Sequence, residues 1–174
     1  YLYRERKIDS NPAMNLNNPK RPKSLPKFLT PDEVEQILNN TKIETPAGYR
    51  NRTILELLWA TGMRISELSG LNFGDLNLEH NEIRVFGKGS KERIILVTDR
   101  ANNYLERYIE SARALIPKGF PVPPQDENSP VFINNTGYRL QTRTVRNVIN
   151  EVVEKINLPK HVTPHVFRPV SYTH

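Results

Sequence analysis

The segment ILELLW, residues 54–59, constrains the fold of this chain more than any other stretch of its sequence. In a helix, its apolar side chains would cover more of the circumference than the narrow stripe of a surface helix does. We therefore predict a helix over roughly 48–61 that lies deep in the core and ends at Gly62. The chain has 174 residues, which is enough for one domain with a substantial core around such a helix.

Three other helices are predicted from local patterns. Apolar residues recur at helical spacing on one face of the segments 99–116 and 142–157, which indicates two amphipathic helices. A shorter helix begins after Thr30, because threonine is a good N-cap and Pro31 suits the first helical position.

A small amount of β-structure is predicted between these helices. The segments 82–86 and 93–97 are rich in β-branched residues and flank a glycine-bearing connection, which predicts an antiparallel hairpin with a basic tip. A third candidate strand, 130–134, could add to the edge of this hairpin. The stretch 117–129 is predicted to be an irregular loop because of its prolines and polar residues.

Residues 9–30 hold four prolines, at positions 12, 19, 22 and 26. This spacing forbids a continuous helix and favours an extended segment, so we interpret the stretch as a linker between domains. Residues 1–8 resemble the last turn of a helix and lack a starting methionine, which suggests a fragment of a longer protein. Two interpretations stay open for the linker cations, which either follow a phosphate backbone or only solvate the segment: Lys20, Arg21, Lys23 and Lys27.

Composition narrows the classes of function. The 25 Lys and Arg residues outnumber the 19 Asp and Glu residues, and the resulting +6 favours a polyanionic partner, although solubility alone would account for it. Cysteine is absent, which excludes disulfides, thiolate nucleophiles and cysteine-bound zinc, and the four histidines lack the spacing of a helical metal site. No apolar run approaches the roughly 20 residues that span a bilayer, so we expect a soluble intracellular protein without a metal.

The motif ATGMRISEL contains the first candidate site residue. Gly62 lets the chain turn sharply, and Arg64 then begins a short helix whose Ile65 and Leu68 point toward the core. An arginine on such a rigid base suits a phosphate, and Glu67 could orient its guanidinium. The alternative is an ordinary surface Arg–Glu pair on a helix.

The hairpin tip FGKGSKER supplies a second candidate. Lys88 lies between two glycines, which let the backbone approach a ligand closely, and Lys91 and Arg93 extend the positive charge. A plain solvent-exposed turn remains the alternative.

The motif TPHVFR supplies a third candidate. His165 and Arg168 are spaced i, i+3 and would share one face of a helix that Thr163 caps. Either residue could instead only satisfy a buried carbonyl.

In this order and spacing, the three motifs resemble the catalytic domain of the tyrosine recombinases, the phage-integrase and Xer-like family. The resemblance covers nearly the whole chain from the linker onward. It implies an α+β, mainly α fold, in which a helical bundle carries a small three-stranded antiparallel β-sheet. It also implies that residues 1–8 end an N-terminal DNA-binding domain, that 9–29 join the two domains, and that 30–174 form a catalytic domain incomplete at its C-terminus.

The resemblance also implies roles for particular residues. By position, Arg64 matches the first catalytic arginine, Lys88 the hairpin lysine, and His165 with Arg168 the histidine–arginine pair. In the family, a tyrosine attacks the scissile phosphate and forms a 3′-phosphotyrosyl link, without metal or nucleotide, so no cofactor is expected. The arginines would meet the charge on the phosphate oxygens, while His165 would bind the phosphate or assist proton transfer and Lys88 would protonate the leaving oxygen.

Further cations are candidates for DNA contacts. Their positive charge makes DNA-binding candidates of Lys91 and Arg93 in the hairpin and of Lys20, Arg21 and Lys23 in the linker. The late helix and the residues before it could contact flanking phosphates, or could only form a solvent face: Arg139, Arg143 and Arg146.

The C-terminal sequence departs from the family pattern in two ways. Pro169 follows Arg168 where relatives usually carry a second histidine, and proline disturbs the helical geometry that would place this arginine. The family's nucleophile lies a few dozen residues beyond the histidine–arginine pair, whereas Tyr172 aligns with a position that is usually alanine. Our hypothesis is that the chain keeps the phosphate-binding residues but lacks the nucleophile, and that Tyr172 does not replace it.

The expected partner is double-stranded DNA, on which the intact parent would act as a tetramer, whereas this chain would be a monomer. We expect a bacterial or phage-encoded, cytoplasmic and nucleoid-associated protein that does not bind membranes. One alternative is a non-catalytic DNA-binding module that occupies recombination sites. Another is a helix-turn-helix regulator that places the 142–157 helix in the major groove.

Overall fold

The computed structural model describes residues 29–87, 91–115, 119–120 and 124–158. In these residues the chain forms five α-helices and three short strands. Their order is α1 (Pro31–Asn39), α2 (Pro46–Thr61), α3 (Ile65–Gly70), β1 (Leu76–Asn77), β2 (Glu82–Phe86), β3 (Glu92–Leu96), α4 (Asp99–Arg107) and α5 (Thr142–Lys155). None of the described helices is long and apolar enough to cross a membrane.

Helix α1 begins where the sequence predicts. The Thr30 hydroxyl accepts a hydrogen bond from the Glu33 amide at 3.3 Å, and the Glu33 carboxylate accepts one from the Thr30 amide at 2.7 Å. This reciprocal capping box satisfies two amides that the first turn of a helix leaves without partners. The predicted N-cap is therefore confirmed.

Helix α2 is the central element of the fold. Residues 52–58 are all buried, and α2 packs against α1, α3, α4 and α5. Leu55 and Leu57 are fully enclosed, whereas Trp59 is only partly buried at the edge of the core. The prediction of a deeply buried helix is confirmed, although the burial extends to the charged residues Arg52 and Glu56.

Gly62 ends α2 in the left-handed conformation, with φ 60° and ψ 17°, and its amide donates to the Leu58 carbonyl. An L side chain is strained at this φ, so Gly62→Ala should lower the free energy of unfolding by about 1 kcal/mol. The control is Gly70→Ala, because Gly70 is helical and an added Cβ meets nothing within 4 Å there. That change should be neutral or stabilising. Urea unfolding of both variants checks the difference, and equal effects would contradict it.

The sheet is antiparallel and has the order β1-β2-β3. Its hairpin pairs Glu82 with Leu96 at one end and Phe86 with Glu92 at the other. The predicted hairpin is thus confirmed, with the second strand beginning one residue early. The third strand is β1, which immediately precedes the hairpin and pairs with β2.

The prediction that 130–134 supplies the third strand is wrong. This segment forms only isolated bridges, and its residues Val131, Phe132 and Ile133 are all buried, without the alternation of a half-exposed strand. Its carbonyls instead accept hydrogen bonds from two buried arginines, which contact Pro130, Val131 and Ile133: Arg113 and Arg50. The Tyr108 hydroxyl accepts a hydrogen bond from the Ile133 amide. These three carbonyls and this amide therefore bond to side chains rather than to a neighbouring strand.

The two amphipathic helices are confirmed with one change. Helix α4 continues into a π-helical turn, Tyr108–Ala112, and the Arg113 amide donates to the Tyr108 carbonyl at 2.8 Å, which closes the wider turn. The predicted helix over 99–116 therefore persists to Ala112. Helix α5 buries Val145, Val148, Ile149 and Val152 on one face, as its periodicity predicts.

An ion-pair network joins α1, α2 and α4. The Glu56 carboxylate, whose side chain is 4% exposed, accepts from Arg52 at 2.8 Å and from Arg100 at 2.9 Å. Arg100 also pairs with the half-exposed Glu35 at 2.6 Å, and this hydrogen bond lowers the pKa of the Glu35 carboxyl. The network connects helices that the apolar core already packs together.

Candidate functional site

The site is organised around the start of α3. Arg64 occupies the N-cap position, directly after the turn at Gly62, and Ile65 and Leu68 anchor the helix in the core. The Arg64 side chain is 53% exposed, so its guanidinium reaches solvent from a rigid base. This is the arrangement that the ATGMRISEL motif predicts.

Glu67 fixes Arg64 through two hydrogen bonds. Its Oε2 accepts from the Arg64 amide at 2.7 Å, and its Oε1 accepts from Arg64 Nη1 at 2.8 Å. Because the first bond holds the backbone and the second holds the side chain, Arg64 is constrained at both ends.

Arg93 on β3 completes the cluster. Its Nη1 and Nη2 donate to Oε1 and Oε2 of Glu67 at 3.0 and 2.9 Å, in a two-pronged ion pair. The sheet register explains the contact, because Arg93 lies opposite the buried Val85 and so projects from the face of the sheet that is turned toward the core. Sequence reasoning missed this pair, although the alternation along β3 places Arg93 and Ile95 on one face.

The Glu67 carboxylate is ionised throughout the neutral range. Burial alone would raise its pKa, but the hydrogen bonds from Arg93 and Arg64 outweigh burial and hold the pKa at about 2. One buried negative charge is therefore shared by two half-exposed guanidiniums, so the cluster carries a net positive charge at the surface. Such a cluster can bind an anionic oxygen such as that of a phosphate.

Other predicted DNA-binding residues lie at the surface in different arrangements. Lys91 is exposed beside the hairpin tip, where its carbonyl accepts from the Gly87 amide at 2.8 Å. Arg143 and Arg146 are exposed on α5, opposite its buried face. Their contacts with DNA remain predictions.

Arg139 has a structural role that the amino-acid sequence did not indicate. Its guanidinium donates to the Ser69 and Leu71 carbonyls at 3.1 and 3.2 Å and to the Asn72 side chain at 2.6 Å. These bonds satisfy carbonyls at the C-terminal end of α3. A role in DNA binding would have to use the remaining exposed part of this side chain.

Several predicted residues lie outside the described part of the chain. They are Lys88 in the hairpin tip, His165, Arg168 and Tyr172 near the end of the sequence, and the linker cations Lys20, Arg21 and Lys23. The predicted convergence of Lys88, His165 and Arg168 on Arg64 is therefore untested. Within 29–87, 91–115, 119–120 and 124–158, no group of histidine and acidic residues could hold a metal ion.

Comparison with known proteins agrees with this fold. The sequence profile of the phage integrase family matches residues 27–174. Over 174 residues the chain is 37% identical to the tyrosine recombinase XerC of Pelotomaculum thermopropionicum, and equally to the tyrosine recombinase XerD of Halalkalibacterium halodurans. Each alignment covers 100% of this chain and 56% of the relative.

A solved structure shows the same fold. The XerH site-specific recombinase, in a post-cleavage complex with a palindromic difH substrate, superposes with a TM-score of 0.67 and 24% sequence identity. The superposition covers 86% of this chain and 42% of XerH. The mainly helical fold with its small antiparallel sheet is therefore that of tyrosine recombinase catalytic domains.

The chain belongs to the phage integrase family. It spans a little more than half the length of the curated relatives that it matches.

Proposed function

We propose that the protein carrying this chain is a tyrosine-type site-specific recombinase, which cuts and rejoins double-stranded DNA through a 3′-phosphotyrosyl intermediate. The observation that carries the proposal is the cluster of Arg64, Glu67 and Arg93, which holds an exposed guanidinium on a rigid helix start. Relatives that are 37% identical over the full chain are named as tyrosine recombinases, which supports the same reaction here.

In this reaction Arg64 stabilises the transition state. Attack on a phosphodiester concentrates negative charge on the non-bridging oxygens, and fixed cationic donors lower the energy of that state more than that of the substrate. A donor that is already oriented needs no reorganisation when the charge develops, and Glu67 provides that orientation. Lys88 as general acid, and His165 and Arg168 as further phosphate ligands, complete the proposed site.

Duplex DNA would lie over the face that carries Arg64. Lys91 beside the hairpin tip, and Arg143 and Arg146 on α5, are exposed cations that would contact phosphates on either side of the scissile one. The intact protein would work as a tetramer on its DNA and this chain alone as a monomer. Such an enzyme would act on bacterial or phage DNA in the cytoplasm, at the nucleoid.

The experiment combines DNA binding with a covalent trap. The 174-residue chain should bind duplex DNA with an affinity that falls steeply with salt, because each neutralised phosphate contributes about −0.9 to the slope of log K against log salt. On a nicked suicide substrate, built from sites selected in a random duplex pool, it should form no covalent adduct. The longest natural protein that contains these residues should form one.

The outcomes separate the alternatives. No adduct from either protein, with DNA binding retained, would favour a non-catalytic module that occupies recombination sites. An adduct from the 174-residue chain that disappears in Tyr172→Phe would show that this tyrosine is the nucleophile after all. Absence of any salt-dependent DNA binding would overturn the proposed function itself.

A further inference from the structure

The four hydrogen bonds to the Glu67 carboxylate are divided evenly between two arginines. Oε1 accepts one bond from Arg64 Nη1 and one from Arg93 Nη1, and Oε2 accepts one from the Arg64 amide and one from Arg93 Nη2. Both oxygens are thus fully engaged, as a side chain that is only 4% exposed requires.

This division leaves Arg64 with donors to spare. Its side chain uses one terminal nitrogen on Glu67, and half of the side chain remains exposed. A guanidinium has five N–H donors, so most of those on Arg64 can face an incoming phosphate oxygen. Arg93, in contrast, directs both of its terminal nitrogens at Glu67.

Removal of Arg93 would change this balance. The buried carboxylate would lose two of its four donors, and an under-satisfied buried carboxylate is costly. Arg64 is the nearest remaining cation, and a second bond from its guanidinium to Glu67 would satisfy the carboxylate. That bond would turn Arg64 inward and reduce the donors that it presents at the surface.

Arg93 also ties two parts of the fold together. It lies on β3, the second strand of the hairpin whose tip carries the predicted general acid Lys88, while Glu67 lies on α3. The pair therefore fixes the end of the hairpin nearest its tip against the helix that presents Arg64.

We propose that Arg93 is a positioning residue rather than a DNA contact. Because Arg93 donates two of the four hydrogen bonds that the Glu67 carboxylate accepts, the Arg64 guanidinium stays turned outward, with free donors for a phosphate. This inference rests on the proposed function, since it concerns the orientation of the arginine that would bind the scissile phosphate. It replaces the direct DNA contact that the sequence predicts for Arg93.

A matched control is available in the same hairpin. Arg84 lies on β2, is 44% exposed against 43% for Arg93, and pairs with Asp75. Because the register places it opposite Ile94, it projects from the other face of the sheet. Arg84→Ala therefore removes an equally exposed hairpin cation without touching Glu67.

The first measurement compares cleavage and binding in the longest natural protein that contains these residues. Arg93→Ala should slow single-turnover strand cleavage about 10–100-fold, as expected for a misplaced catalytic group, while the salt dependence of DNA binding stays unchanged. Arg93→Lys should recover little of the rate, because an ammonium cannot bond both carboxylate oxygens in the two-pronged geometry. Arg84→Ala should cleave at the wild-type rate.

Two results would overturn the inference. One is a slope of log K against log salt that becomes about 0.9 less negative in Arg93→Ala and that Arg93→Lys restores, because that is the signature of a direct phosphate contact. The other is an unchanged cleavage rate in Arg93→Ala.

A second measurement does not depend on activity. In the 174-residue chain labelled with ¹⁵N, rotation of the Arg64 guanidinium about its Nε–Cζ bond should slow in Arg93→Ala, because a second bond to Glu67 forms. The rotation should be unaffected in Arg84→Ala, and unchanged rotation in Arg93→Ala would contradict the inference.

Failure of the proposed function can be distinguished from failure of this inference. A wild-type protein that neither binds nor cleaves DNA would disprove the proposed function, and the rotation measurement would still decide the role of Arg93.

Discussion

Arg64→Ala is expected to slow DNA strand cleavage by about 10²–10³-fold in the longest natural protein that contains this chain. The change removes a guanidinium that is held at its backbone and at its side chain by Glu67 and that would face the developing charge on the phosphate. Binding of duplex DNA should weaken far less, because many other phosphate contacts contribute to it.

Single-turnover cleavage of a suicide substrate, measured at saturating protein, isolates the chemical step from binding. Arg84→Ala serves as the control, since this hairpin arginine is similarly exposed but lies away from Glu67. If Arg64→Ala cleaves as fast as wild type, Arg64 does not stabilise the transition state. If its affinity for DNA falls as much as its rate, Arg64 contributes binding rather than catalysis.

Glu56→Ala is expected to cause the largest loss of stability, about 3–5 kcal/mol in the free energy of unfolding. It removes the carboxylate that neutralises Arg52, whose side chain is 7% exposed, and that also accepts from Arg100. A buried guanidinium that loses its ion-pair partner is strongly unfavourable.

The control removes the other carboxylate that Arg100 contacts. Glu35 is 48% exposed, and its loss should cost less than about 1 kcal/mol, because exposed ion pairs contribute little. Urea unfolding with a common m-value gives both numbers on one scale. Equal losses from Glu35→Ala and Glu56→Ala would show that burial does not determine the contribution of these pairs.

Most of the fold could be predicted because its signals are local. The N-cap at Thr30, the left-handed glycine that ends α2, and the apolar periodicity of α5 each depend on residues within a few positions of one another. The hairpin is local in the same sense, since its strands are joined by a short connection. That 130–134 is not the third strand could not be predicted, because several of its backbone groups bond to side chains and to a carbonyl that are distant in the sequence: Arg50, Tyr108, Arg113 and the carbonyl of Leu71.

In the candidate site, too, contacts between residues close in sequence could be predicted, and contacts between distant segments could not. Arg64 and Glu67 are three residues apart on one helix start, so their pairing follows from the motif itself. Arg93 lies 26 residues beyond Glu67, and only the packing of the hairpin against α3 joins them. Arg139 likewise seemed a surface cation until it was found to bond the end of α3, 70 residues away from Ser69.

By itself, the sequence determined the helices and their caps, the hairpin, and the arginine that begins α3, because each follows from short-range periodicity and backbone preference. The tertiary structure alone decided which charged groups share a carboxylate: the Glu67 pair with Arg93, and the Glu56 network of Arg52 and Arg100. The physical reason is that a buried carboxylate must be neutralised by whatever cation the packing brings within hydrogen-bonding distance, and packing between distant segments leaves no local pattern in the sequence.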